Sequence, residues 1–412
     1  MAAMRHTARG AVAATNLVTP SADHALTRGD GPWPQETAEQ AVAWDEGVIV
    51  YVGPADGLTG FEIEWFEGCT IAPGFIDCHT HLPFAGWRAD EFEARLSGVS
   101  YRHQHGEGGI YRSARMLAEA SDDEVLAFCR SLVREMSDHG TTALELKTGY
   151  GLSVEAELRQ ARLARRLAED APQTCSVTLL ACHAVPEGVG RADWVRTVCD
   201  ELIPAAARED LVDAVDVYVE DIAFSLDDLA EIAQCASHVG LPLRCHADQL
   251  GPSGAAEAAV ALDAMSADHL NHVSSAGISS LGAAPATVAV LLPTSTLFLR
   301  SSPPDVRALL DAGAAVAIAS DFNPGTSPVL SMPEVIATAC SLYGLHPLEA
   351  LAAATVNASA ALGLAPERGT LAPGGPADVV VLEGDAFRLV PYRLGHNPVV
   401  RTFVDGERVG GR

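Results

Sequence analysis

The chain has 412 residues, with 27 lysines and arginines against 54 aspartates and glutamates, a formal net charge of −27. Such a surface repels polyanions over most of its area, which argues against nucleic acid and anionic membranes as partners. Hydrophobic residues make up 48% and charged ones 20%, ordinary globular usage rather than disorder, and the length suits two or three domains or one barrel of roughly 250 residues with a smaller companion.

The first twenty residues hold only a short apolar patch broken by Thr15 and Asn16. That is too brief for a secretory signal or a membrane span. The nine cysteines are scattered without any Cys-x-x-Cys pair, which suits a reducing compartment, so a cytoplasmic location is expected. Short β-like runs such as Val48–Val52, followed by Gly53-Pro54, occupy the region up to residue 67. The far end repeats this pattern in Ala377–Leu382 and Val399–Val404, so residues 1–67 and 366–412 are expected to form one small β-sandwich domain.

Between these ends, residues 68–365 alternate apolar β-branched runs with amphipathic stretches. Eight strands are predicted: Cys69–His79, Thr141–Lys147, Thr174–His183, Ala214–Glu220, Leu241–His246, Ala264–His269, Thr287–Pro293 and Ala314–Asp321. Helices are predicted over Asp122–Asp138, Val154–Glu169, Leu226–Val239 and Pro333–Leu342. The span from Cys69 to Asp321 is roughly 250 residues, which favours a (β/α)₈ TIM-like barrel, an α/β fold. A doubly wound open sheet is the alternative. Lys147 is the chain's only lysine, and Leu146 before it excludes a phosphate-binding Gly-Lys-Ser/Thr loop.

Most of these strands end at or near a polar side chain: His79 and His81, Tyr150, His183, His246, His269 and Asp321. A barrel gathers such ends on its C-terminal rim. His79 and His81 are two apart, so their imidazoles share a face and could share an ion; His103-Gln104-His105 repeats the spacing inside a Gly-rich loop. Taken singly, each of these groups could be a strand-end side chain bonded to a loop. Together, His79, His81, His246 and Asp321 form a nitrogen and oxygen set suited to zinc or iron and poorly suited to calcium. The fourth strand, Val215–Val219, carries no lysine to bridge a metal pair, so one ion is expected. Such an ion would lower the pKa of water toward about 7 and polarise a carbonyl, which is hydrolytic chemistry.

The segments PGFIDCHTHLPFAGWRADEFEARLSG, ELKTGYGL, LLACHAVP, CHADQL, SADHL and DFNPGTSP resemble those of the amidohydrolase superfamily and, within it, the imidazolonepropionase family of histidine degradation. The resemblance covers nearly the whole chain. It implies hydrolysis of the cyclic amide of 4-imidazolone-5-propanoate to N-formimidoyl-L-glutamate. It further implies one Zn²⁺ or Fe³⁺ per subunit on His79, His81, His246 and Asp321, a small-molecule substrate and a homodimer. By the same resemblance Asp321 takes the proton of the attacking water and His269 partners it, with His183 and Gln249 also at the reacting ring. Arg88, Tyr150, His183, Gln249 and Thr326 would line the substrate pocket, while Asn323 and Gly325 would contact the opened product.

Arg88 has the donor fork to hold a carboxylate, and Tyr150 lies between Gly149 and Gly151, where a flexible backbone would let its phenol reach a ligand. Three positions depart from the family pattern: Gln249 stands where some members have a glutamate that shuttles protons, Glu107 where glycine is usual, and Thr148 where serine is commoner. A nucleobase deaminase of the same superfamily is the rival reading, against which Gln249 counts. A catalytically inactive barrel serving as a binding module is the other, against which the intact His/Asp set counts.

Overall fold

The computed structural model describes residues 8–21, 31, 33–100, 108–284, 286–364 and 368–412. Eight parallel strands form the barrel: β1 (Phe75–Asp77), β2 (Thr141–Lys147), β3 (Thr174–Cys182), β4 (Ala214–Val219), β5 (Leu243–Ala247), β6 (Ser266–His269), β7 (Val288–Leu291) and β8 (Val316–Ile318). Each pairs with the next in parallel, with register shifts between Phe75 and Ile76 and between Leu179 and Cys182. Apart from the first two residues of β3, every strand residue is buried, because helices cover the outside while side chains fill the inside.

The covering helices start where capping residues allow it. Ser121 and Glu124 form a reciprocal capping box at the head of Asp122–Asp138, as do Ser225 and Asp228 at Leu226–His238, and Ser153 caps Val154–Asp170. Their apolar faces, including Leu126, Val133, Leu163 and Ile232, merge with Leu144, Leu146 and Val217 into one core. The predicted helix over Pro333–Leu342 is instead Met332–Thr338, followed by a wider π-helical turn over Ala339–Tyr343.

No ladder joins β8 to β1, and the seam is closed by side chains. The Asp77 carboxylate accepts from the Ser320 amide at 2.9 Å and its hydroxyl at 2.5 Å, and the His81 amide donates to the Phe322 carbonyl at 2.9 Å. This seam ties the loop after β1 to the loop after β8.

The second sheet is seven-stranded and mixed. Its order is Glu407–Gly410, Val399–Val404, Val379–Glu383, Glu64–Pro73, Gly10–Thr19, Gln35–Asp45 and Val48–Pro54. Both ends of the chain build it, as predicted. Val12, Val42, Trp44, Ile49, Ile71, Val379, Val381 and Phe403 form its own apolar cluster. One expectation is corrected here: Cys69–His79 is not a single strand. Glu64–Pro73 belongs to the terminal sheet, and the barrel begins only at Phe75. The break is at Gly74, where a Cβ would fall 2.2 Å from the Thr142 side chain; the two sheets approach too closely there for any larger residue.

Candidate metal centre

The loop after β1 carries His79 and His81 into the barrel mouth, pinned by the Thr80 hydroxyl donating to the Glu145 carbonyl at 2.5 Å. His246 comes from β5, His269 ends β6, and Asp321 lies just beyond β8. All five are buried. Ligand-type atoms of His79, His81 and His246 lie within 4.8 Å of one another, and so do those of His79, His269 and Asp321. Asp321 Oδ1 is 3.1 Å from His81 Nε2 and 3.7 Å from His79 Nε2. The backbone is bent to achieve this: His269, Leu270 and Asp321 have φ of 77°, 59° and 53°, a left-handed conformation that costs on the order of 1–3 kcal/mol for a residue with a side chain.

Protonation follows from burial. Desolvation lowers the pKa of His79 and His81 and pushes His269 down to about 3, so these imidazoles are neutral near pH 7. Burial pushes the Asp321 carboxyl up, but the hydrogen bond from His81 and the nearby histidines outweigh it and hold the pKa below its ordinary value. The result is neutral nitrogen donors around a carboxylate.

Orientation is set from behind. His79 Nδ1 lies 2.6 Å from Asp268 Oδ2, and His246 Nδ1 lies 3.0 Å from Asp216 Oδ2. The Asp268 carboxylate accepts a hydrogen bond from His79 Nδ1 and so leaves the lone pair of Nε2 for the centre; at His246 the carboxylate is in close contact without an aligned hydrogen bond. Among the described residues, Nε2 of His79 and of His246 are buried without a hydrogen-bond partner, which is costly unless something else meets them. A cation among these atoms removes that cost, so the residues fit a metal ion. Among the described residues, the two groups of histidine, cysteine, aspartate or glutamate side chains with this geometry both belong to this cluster.

A pocket opens beside the cluster, lined by Arg88, Ile110, Tyr150, His183, Tyr218, Gln249, Asn323 and Thr326 as well as by His81, His246, His269 and Asp321. His183 stacks on His81 with centroids 5.1 Å apart and planes at 17°. Arg88 is buried, with Nε 3.6 Å from Glu91 Oε2 and Nη1 without a hydrogen-bond partner among the described residues. Its guanidinium leaves no room for a side chain at 325: a Cβ on Gly325 would come within 1.8 Å of Arg88 Nη2.

Two expectations change in detail. The Tyr150 loop is clamped rather than flexible. Glu157 accepts from the amides of Gly149, Gly151 and Leu152 at 2.6–3.2 Å, and the Tyr150 amide donates to Gln160 at 2.9 Å. Asn323 and Gly325 are engaged in their own turn. Asn323 Oδ1 accepts from the amides of Gly325 and Thr326 and from the Thr326 hydroxyl, while its Nδ2 donates to the Asp321 carbonyl at 2.6 Å. Asn323 thereby fixes the loop that carries Asp321. Thr148 does what a serine would, its hydroxyl accepting from the Leu180 amide at 3.0 Å. His103, His105 and Glu107 lie outside the described residues.

Sequence reasoning missed Tyr218, whose ring sits 5.7 Å from that of His246 and 6.0 Å from that of His183. It also missed Asp216 and Asp268. The period-two alternation of Val215–Val219 puts Asp216 and Tyr218 on one face and could have found both; Asp268 has only its place next to His269.

Comparison with known proteins agrees with this geometry. A profile of the amidohydrolase family matches residues 70–409. The imidazolonepropionase of Polaromonas sp. strain JS666 is 42% identical over 379 residues, 90% of this chain and 89% of that protein. That of Paracidovorax citrulli AAC00-1 is 44% identical over 371 residues, 88% of this chain and 89% of the relative. Solved structures share the fold at low identity. An adenosine deaminase from Xanthomonas campestris with bound zinc gives a TM-score of 0.71 at 18% identity, covering 97% of this chain and 92% of its own. E. coli guanine deaminase gives 0.71 at 15%, covering 98% and 100%. With a family profile over most of its length and relatives above 40% identity along nearly all of it, the chain belongs to the amidohydrolase family, among the imidazolonepropionases.

Proposed function

We propose that this protein hydrolyses 4-imidazolone-5-propanoate to N-formimidoyl-L-glutamate, using one Zn²⁺ or Fe³⁺ per subunit held by His79, His81, His246 and Asp321. The observation that carries the reading is the pair of buried Nε2 atoms of His79 and His246 without a hydrogen-bond partner among the described residues, the first 3.7 Å from Asp321 Oδ1, beside a pocket that holds a buried arginine. An ion bound there would acidify water and polarise the ring carbonyl. Asp321 accepts the proton of the attacking water, and His269, with a ligand-type atom within 4.8 Å of one of Asp321's, orients the carboxylate that takes it. His183 faces the carbonyl oxygen as a donor. The ring C–N bond then breaks, and the proton held by Asp321 passes to the departing nitrogen.

Arg88 gives the propionate arm its counter-charge, and Tyr150 closes the same side of the cavity. Gln249 hydrogen-bonds the ring but cannot exchange a proton near pH 7, so the proton path runs through Asp321. The substrate is small, and no described helix is long and apolar enough to cross a membrane. The nine thiols are all unpaired, in keeping with the cytoplasmic location we assign; a homodimer completes the reading.

The test is a direct assay of imidazolone absorbance beside ammonia release from guanine and cytosine. Loss of the imidazolone band with no ammonia supports the reading. Ammonia release without ring opening replaces it with a deaminase, and neither activity in metal-loaded protein leaves an inactive barrel.

A further inference from the structure

Below the histidines the barrel interior is charged rather than apolar. Period-two alternation aims Glu145 and Lys147 of β2, Ser176 and Thr178 of β3, Asp216 of β4, Arg244 of β5 and Asp268 of β6 inward, and all are buried. Arg244 pairs with Glu145 and donates to Thr178 Oγ1 at 2.6 Å. Lys147 Nζ lies 2.8 Å from Glu145 Oε2, 2.7 Å from Asp216 Oδ2 and 3.9 Å from Asp268 Oδ2. Those last two oxygens are the same atoms that face Nδ1 of His246 and of His79. One ammonium therefore stands behind two carboxylates, each behind one histidine.

We propose that Lys147 is a positioning residue for the metal centre: it fixes the carboxylates of Asp216 and Asp268 so that His246 and His79 present Nε2 together to one ion. This rests on the metal-centre reading above. Its physical basis is that a buried carboxylate without a fixed cation turns toward whatever donor it can reach, and the histidine it orients turns with it. Burial alone would neutralise the ammonium, but Asp216 and Glu145 more than offset that and keep it charged. An arginine does not substitute, because a planar fork of five donors cannot occupy the point between carboxylates from β2, β4 and β6 that a compact ammonium fills. It is the only lysine among the chain's 27 lysines and arginines, so the one place where this sequence uses an ammonium is the place where a guanidinium does not fit.

That uniqueness supplies a test on the unaltered protein. Labelling with ¹⁵N-lysine gives a single side-chain signal, expected to be protected from solvent exchange and to shift when metal-free protein takes up Zn²⁺. A signal that exchanges freely, or that stays in place while Zn²⁺ binds, overturns the proposal. In parallel, Lys147→Met keeps the side chain's length without its charge. Measured by chelator competition on folded, metal-free protein, its Zn²⁺ affinity should fall about 10–100-fold, the range for residues behind metal ligands; wild-type affinity in this variant would also overturn the proposal. Where the substitution prevents folding, the labelled wild-type protein decides. If the wild-type chain binds no ion, the metal-centre reading itself fails; if it binds and Lys147→Met binds equally, only the role of Lys147 fails.

Discussion

The terminal sheet and the barrel mouth are both buried, yet they bury opposite things. In the sheet, Val12, Val42, Trp44, Ile71, Val381 and Phe403 meet as mainly apolar surface, broken by the Trp44 indole N–H, which has no partner among the described residues, and the Trp44 and Phe403 rings lie 5.1 Å apart. In the mouth, neutral histidines, a carboxylate and an arginine are packed with ring nitrogens and guanidinium donors left unmatched, on a backbone held at positive φ. Apolar burial favours folding at roughly 25 cal/mol per Å², whereas unmatched polar burial opposes it. A chain that tolerates the second kind has put function there, and stability has to come from regions like the first.

That division can be broken by substitution. Asp321→Asn should lower kcat by on the order of 10²–10⁴, the range for loss of a proton-transferring group, while leaving the melting temperature of the metal-free protein near wild type; turnover near wild type would remove Asp321 from the chemistry. Arg88→Met should raise KM about 10–100-fold, as expected for loss of hydrogen bonds to a charged group. Its effect on kcat should be far smaller. A fall in kcat with KM unchanged would place Arg88 in the chemistry instead of in substrate binding.

The sheet should respond the other way. Trp44→Ala should cost about 3–5 kcal/mol in stability by denaturant unfolding with kcat unchanged, and a matching loss of kcat in the folded variant would show that the two regions are coupled. A smaller effect tests burial at the rim. Glu220 accepts from the Leu250 amide at 2.7 Å, and burial pushes its pKa from 4.5 to about 7. Because the folded state holds the proton more tightly, this carboxyl's contribution to stability is lost as pH rises from about 4.5 to about 7. The melting temperature of Glu220→Gln relative to wild type should therefore climb across that window and level off above it; a constant difference would contradict the shift.

The sequence exposed most of the barrel because its strands are β-branched runs separated by amphipathic helices, and the polar residues at their ends lie where the fold collects them. It concealed the junction at Gly74, since an apolar run continues unbroken across Pro73 and Phe75 while the chain passes from one sheet to another. Among the site residues, the His-x-His pair, His246 and Asp321 stand out because each interrupts or ends an apolar run. Asp216, Asp268 and Lys147 do not, because a buried ion network is defined by neighbours on different strands and has no spacing along the chain. Asn323 shows a third case. The motif pointed to a ligand contact; Asn323 lines the pocket, and its amide also builds the turn that presents Asp321.

The central claim is that one ion, gathered by side chains from β1, β5 and β8 and their loops, is required to open the ring. Adding Zn²⁺ or Fe³⁺ stepwise to metal-free protein while following imidazolone absorbance tests this most directly. The account predicts no turnover without metal and a linear rise that stops at one ion per chain. Full turnover in protein shown to be free of metal would contradict it.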